Sequence, residues 1–405
     1  MGKKKNISQG KDPGTKEKGP GKDKPEVRQG KHKGVHKDAG KDVRKSDDGV
    51  TTNRTAVNHP TDAKPGAKNH EAENREPVDP RQYTGATRVP DLTEGIRSGE
   101  RRALARGITL IESTLPDDAA DARTILRELL PDTGKSLRIG ITGIPGVGKS
   151  TFIEAFGLFL IEQGHRVAVL AVDPSSPFSG GSILGDKTRM EKLSRRDEAY
   201  IRPSPTGGNL GGVSRKTREA ILLCEAAGYD IILVETVGVG QSEYEVASMT
   251  DLFLVMLLPN AGDALQGIKR GILELADLLV VNKADGDTLK MAAHARGEFE
   301  QALHMIAPKY PGLTAPVLQC SALLQTGLDE IWQSLNERTG ELKNRSLFAK
   351  NRRHQMVNWA RRLADEELLR RFWTDDNTKE LFTALTARLI AGEITPSEAV
   401  EQLLD

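Results

Sequence analysis

The densest chemistry in the chain lies in Gly143-Ile144-Pro145-Gly146-Val147-Gly148-Lys149-Ser150-Thr151. Its spacing is G-x-x-x-x-G-K-[ST], a loop that wraps phosphate. Glycines let the backbone curl until its N–H groups converge on an anion. A helix opening at Lys149 adds the positive end of its dipole. Lys149 would neutralise β- and γ-phosphates, and Ser150 would offer a hydroxyl to Mg²⁺. The context fits: Arg138–Thr142 reads as the end of a strand, and Phe152, Ile153, Phe156 and Leu160 form a helical apolar stripe.

A second motif chooses the base. Asn282-Lys283-Ala284-Asp285 follows the strand-like Leu278–Val281 and fits N-K-x-D. Guanine offers N1–H and a 2-amino group on one edge, and the Asp285 carboxylate can accept from both; adenine lacks that donor pair. Asn282 can reach the acceptor edge of the base, and the Lys283 stem can cover a ring face. A site built on such bonds rejects the wrong base, because its carboxylate would go unpaired. Ser321-Ala322-Leu323, after another strand-like run, is placed to meet the guanine carbonyl. The nucleotide expected is GTP.

Two carboxylates close the pattern. Asp173 ends the run Val167–Val172, and Glu235 ends Ile231–Glu235. At the C-terminal edge of a parallel sheet such groups can bind Mg²⁺ or orient an attacking water. Lys149, Asp173 and Glu235 are therefore the candidate catalytic residues. Gly238 is placed as a glycine whose N–H senses a γ-phosphate. The glycine-rich stretches Phe178–Asp186 and Gly207–Gly212 are candidates for segments ordered by nucleotide.

The elements that must position these groups alternate. Strand candidates are Leu137–Thr142, Val167–Val172, Ala199–Arg202 (weaker), Ile231–Glu235, Leu252–Leu257, Leu278–Asn282 and Pro316–Cys320. Helical stretches separate them, among them Ser214–Ala227, Ala264–Leu275 and Leu289–Ile306. The alternation predicts an α/β fold with a mostly parallel sheet flanked by helices. Helical spacing begins at Leu92 and runs through Ile111, and Ala119–Leu130 forms a second helix stopped by Pro131. After Cys320 the chain reads as helix to its end, broken near Asp375–Thr378. The division expected is 1–85 tail, 86–135 N-terminal helical segment, 136–335 P-loop GTPase domain and 336–405 C-terminal helical region.

Composition narrows the classes. The chain has 405 residues with 58 Lys+Arg against 57 Asp+Glu, a net charge of +1, so the basic excess of a dedicated nucleic-acid binder is missing. Residues 1–85 hold 20 basic and 13 acidic side chains, or +7, with one aromatic (Tyr83) and no leucine. Such a segment cannot bury enough apolar surface to offset its ordering entropy and is expected to be disordered, either as a solubilising tail or as a basic arm for an acidic partner. No apolar run approaches the roughly 20 residues of a membrane span. No secretory signal is expected at the start, and Asn6 stands where a myristoylation site needs Ser or Thr. Cys224 and Cys320 cannot build a disulfide framework or a cysteine-rich metal site. A cytoplasmic protein is expected.

Taken together, the segments GIPGVGKST, AVDPSSPFSGGSILGDKTRM, RPSPTGGNLGGVSRKTREA, VETVGVGQSE, PNAGDALQGIKRGILELAD and NKADGD resemble the MeaB/ArgK-type P-loop GTPases, chaperones of adenosylcobalamin-dependent methylmalonyl-CoA mutase. The likeness runs from about Leu92 to the C-terminus. It implies GTP hydrolysis with Mg²⁺, and a partner that is methylmalonyl-CoA mutase or a related acyl-CoA mutase, served in cofactor loading and protection. Ser150, Asp173, Asp186 and Glu235 fall on the family's metal and switch positions. Asp263, Gln266 and Lys269 fall in the loop that couples to the mutase. The resemblance also implies a homodimer through the C-terminal helices, where Trp332, Phe348, Trp359, Phe372 and Trp373 suit either a buried interface or packing within the chain. Two other readings remain in view. A metallochaperone GTPase would need a soft-ligand cluster. A transport-associated arginine/ornithine kinase would need a phosphoacceptor site, for which no motif is present.

Overall fold

The computed structural model describes residues 85–172, 190–203, 210–236, 242–259 and 270–405, all within one unit spanning Arg75–Asp405. Seven strands form one sheet: β1 (Leu137–Gly143), β2 (Val167–Val172), β3 (Ala199–Arg202), β4 (Ile231–Thr236), β5 (Leu252–Leu257), β6 (Leu278–Val281) and β7 (Val317–Gln319). Their order is β3-β2-β4-β1-β5-β6-β7, and every pairing is parallel. All seven predicted strands are present, with ends shifted by a residue or two.

Alternation along each strand builds two cores. Ile139, Ile141, Leu233, Leu254, Met256 and Val280 point to one face; Ile232, Val234, Phe253, Val255, Leu279 and Val281 point to the other. Both faces are covered, which is why these strands read as continuous apolar runs. Gly140 marks a close approach within the sheet: a Cβ there would come within 2.8 Å of Phe253 and Val246.

One face carries α4 (Lys149–Glu162), the short α5 (Glu191–Ser194) and α10 (Leu328–Asn344). The other carries α6 (Leu210–Ala226), α7 (Ser242–Ala247), α8 (Arg270–Leu275) and α9 (Leu289–His304). The N-terminal helices α1 (Gly85–Arg97), α2 (Arg101–Glu112) and α3 (Pro116–Leu129) join this second core through Leu92, Ile96, Leu104, Ile108 and Ile125. Residues 86–135 therefore share the core of the sheet. The helical spacing of Leu92–Ile111 covers two helices, divided at Ser98–Glu100.

Three further helices end the chain: α11 (Leu347–Thr374), α12 (Asp376–Ile390) and α13 (Pro396–Leu404). The expected break is a single extended residue, Asp375, whose carboxylate caps α12 by accepting from Thr378 N–H at 2.9 Å. Two breaks escaped the pattern. Ser346 turns the chain with φ 56°, and Gly392 does so after α12 with φ 72°. The boundary drawn at 335/336 falls inside α10, where Arg338, Thr339 and Leu342 are buried. The sheet core therefore continues to the end of α10. The expected tail is 1–85; α1 begins at Gly85, and residues 1–84 lie outside the described residues. Among the described residues no helix is long and apolar enough to cross a membrane.

Candidate functional site

The loops after β1, β6 and β7 and the end of β4 gather at the C-terminal edge of the sheet, where the chain order reverses around β1. The phosphate loop leaves β1 and enters α4 through Gly148, which has φ 95°. A side chain at Gly148 would meet Asn282 Nδ2 at 2.8 Å, so both conformation and space demand glycine there. Lys149 is 8% exposed, and its ammonium donates to Gly143 O at 2.9 Å across the curl of the loop. Burial depresses its pKa, with Glu235 and Glu243 acting the other way. An arriving phosphate would add to the negative charge of Glu235 and Glu243 around the ammonium.

Ser150 Oγ lies 3.4 Å from Glu235 Oε1, so the hydroxyl and the carboxylate predicted for a metal are neighbours. Behind them Thr142 and Thr236 share a hydrogen bond of 2.8 Å that fixes the ends of β1 and β4 to one another. Glu243, at the start of α7, is 3% exposed and belongs to the same electrostatic group. Sequence reasoning passed over it; the signal available was one acid in a segment that had to be buried. Asp173, Asp186 and Gly238 lie outside the described residues, as do the coupling residues Asp263, Gln266 and Lys269.

The residues predicted to read the base lie close together. Ser321 Oγ donates to Asp285 Oδ2, joining the two guanine loops, and Ala284 N–H donates to Cys320 O at 3.0 Å. Lys283 holds φ 61°, a left-handed conformation that is uncommon for a residue with a side chain. Thr288 Oγ pins the turn by donating to Asp285 O at 2.7 Å. The part played by Asn282 is larger than its motif suggests. It is 2% exposed; its Nδ2 donates to Val147 O at 2.8 Å and its Oδ1 accepts from Ala322 N–H at 3.1 Å. Asn282 is thus a brace joining the phosphate loop to the Ser321-Ala322-Leu323 loop. Cys320 adds a thiol bond to the same oxygen at 3.4 Å. Leu323, by contrast, points to solvent at 76% exposed.

The family described as Methylmalonyl Co-A mutase-associated GTPase MeaB matches residues 104–377, more than half of the chain. This protein belongs to the MeaB family. Its relatives include a protein named probable GTPase from Mycobacterium tuberculosis, 52% identical over 317 residues, 78% of this chain and 94% of that one. GTPase ArgK of Escherichia coli is 47% identical over 308 residues, covering 76% and 93% of the two chains. The mouse protein named Methylmalonic aciduria type A homolog, mitochondrial, is 46% identical over 326 residues, 78% and 79%. A solved structure entitled LAO/AO transport system kinase superposes with TM-score 0.64 and 40% identity over 79% of this chain and 97% of that one. The P-loop NTPase fold and the GTPase activity follow for this MeaB-family chain. Its match begins at 104, inside α2, so the packed N-terminal helices are partly within the family's shared body.

Aromatic residues expected at a subunit interface divide. Trp332 packs within the chain, edge-on to Phe156 and His165 at 6.3 and 5.1 Å between ring centres. Phe348 is partly buried on the sheet core and lies under the Arg352 guanidinium. Trp359 faces the Arg218 guanidinium at 6.0 Å. Phe372, Trp373 and Phe382 form an edge-to-face cluster on the C-terminal helices, with Trp373 46% exposed.

Proposed function

We propose that this MeaB-family GTPase is a chaperone for an adenosylcobalamin-dependent acyl-CoA mutase, methylmalonyl-CoA mutase or a relative, and acts in loading and protecting its cofactor. The match to a mutase-associated family over residues 104–377 carries the reading. In this reading Asp285 accepts from the guanine edge, Ser321 holds that carboxylate in place, and Lys149 and the loop N–H groups hold the phosphates. Glu235 orients the attacking water together with Asp173.

Mg²⁺ fits the residues present. A serine hydroxyl beside a carboxylate is a hard-oxygen pair, and Mg²⁺ takes one or two protein ligands and completes its shell with water and phosphate. Ser150 and Glu235 would hold it, with Asp173 and Asp186 as further candidates. The ion supplies charge neutralisation on the phosphates.

Coupling is assigned to Asp263, Gln266 and Lys269, which follow β5 in the sequence. Free GTPases turn over slowly when water and acids await a partner's ordering. GTP turnover should therefore be low alone and rise when a cobalamin-dependent mutase is added. Lys269→Ala should keep the basal rate and lose most of the stimulation. Equal rates with and without mutase would overturn the chaperone reading. Phosphate transfer to arginine or ornithine in that assay would favour the transport-kinase reading instead.

The dimer is proposed through α11–α13. The 28-residue α11 has no buried residue, and Leu368, Leu369, Leu381, Phe382 and Ile390 are exposed along α11 and α12. A monomer would leave this apolar surface in water.

A further inference from the structure

At the edge of the sheet opposite the nucleotide, a cleft of about 330 Å³ opens between the α7–β5 turn, the Lys309-Tyr310 loop and the first half of α11. That volume lies within the range of small-ligand sites. Arg218, Lys309, His354 and Arg362 line it, and no acidic residue does.

Two of these cations are held from behind. Lys309 pairs with Asp277 at 2.5 Å, and Arg362 pairs with Glu245. Arg218 is different. It is 8% exposed and donates to Ser248 Oγ at 2.6 Å, but makes no ion pair with a described residue. Burial is the main force pulling its pKa down, to about 10; Glu245 opposes this, while Arg362 and Arg138 add like charge. Keeping a guanidinium buried without a matched acid is costly unless another anion completes it. His354 and Asn358 on α11 add polar groups to the outer wall.

We propose that this cleft is a binding site for a small phosphate- or carboxylate-bearing anion, with the Arg218 guanidinium at its floor and Lys309, His354 and Arg362 around the rim. It is separate from the GTP site. The cleft borders Thr250, just before β5, whereas the phosphate loop follows the C-terminal end of β1. One element connects the two sites: Glu243 in the first turn of α7 acts electrostatically on Lys149, and Ser248 follows the end of the helix against Arg218.

The test uses the full chain saturated with Mg²⁺ and a non-hydrolysable GTP analogue, so that every phosphate position of the nucleotide site is filled. Inorganic phosphate, and in a second arm citrate, is titrated at constant ionic strength while Tm is followed. A saturating rise in Tm is expected, because a ligand that binds only the folded state stabilises it. His354→Glu should weaken the apparent affinity roughly tenfold or more, the scale of one charged hydrogen bond. Arg353→Glu, the same kind of change one residue away and outside the lining, should leave the affinity unchanged. Arg218→Met should remove the response while retaining analogue binding. The phosphate and citrate arms distinguish a phosphate ligand from a carboxylate one. No rise at constant ionic strength, or the same rise in wild type, His354→Glu and Arg218→Met, would overturn the site.

Discussion

Lys149 is paid for by its ligand. Without nucleotide its buried ammonium is disfavoured, so the folded chain binds that proton less tightly than the unfolded chain does. The sign follows by linkage: the charge costs stability below the folded pKa, and the cost fades as pH rises through that value toward the ordinary lysine value. Lys149→Met should therefore be at least as stable as wild type at neutral pH without nucleotide, and should lose the stabilisation that GTP gives. Thermal melts with and without GTP check both halves; a variant that melts lower in the apo state would refute the first. Lys149, Ser150 and Asp285 were legible in the sequence because a phosphate loop and a guanine reader need fixed spacing within a few residues. Glu243 was not, since one glutamate in a short helix carries no spacing to read. Nor was the bracing by Asn282: its partners, Val147 and Ala322, lie far away in sequence and meet it only across the sheet edge.

At the scale of elements, Arg352 near the start of α11 makes the densest set of bonds between that helix and the sheet. Arg352 donates to both Asp251 oxygens at 2.7 and 2.6 Å, and to Gly134 O and Ser136 O at 2.6 Å each. Asp251 also accepts Arg138 N–H at 2.9 Å, so a single carboxylate ties β1, the start of β5 and α11 together. Its side chain is 2% exposed. Removing the arginine leaves that charge buried with its partner gone, a loss of about 3–5 kcal/mol in comparable pairs. Arg352→Ala should unfold at lower denaturant with an unchanged dependence on concentration; a change below about 1 kcal/mol would show that α11 is held chiefly by apolar contact. The strands were readable because both faces of a parallel sheet are buried and leave apolar runs. The turns at Ser346 and Gly99 were less so, because helical periodicity continues across a one-residue reversal.

At the scale of the molecule, the C-terminal helices have more apolar surface than the chain covers. If a second copy covers it, placing a charge at Phe382 or Ile390 should divide the assembly. Phe382→Glu should halve the mass seen by light scattering and leave the nucleotide affinity near wild type, since the change is remote from the sheet edge that carries the site. An unchanged mass would place the interface elsewhere. The joining of the outer helices to the sheet was not legible: burial of Ile96, Ile108 and Leu342 in the two sheet cores depends on contacts that no local pattern encodes.

The position of β1 also sets an order of assembly during synthesis. It lies at the middle of the sheet, and its two neighbours are β4 and β5: Leu137 pairs with Ile231, and Ile139 with Leu252. The phosphate loop emerges from the ribosome early, yet the strand that carries it has no hydrogen-bonding neighbour until β4 has left the exit tunnel, and is flanked on both sides only once β5 has followed. Long-range parallel pairing of this kind closes slowly. A nascent chain stalled before β5 should therefore fail to bind GTP although its whole phosphate loop is present, and apolar Ile139 and Ile141 would be open to chaperones throughout that interval.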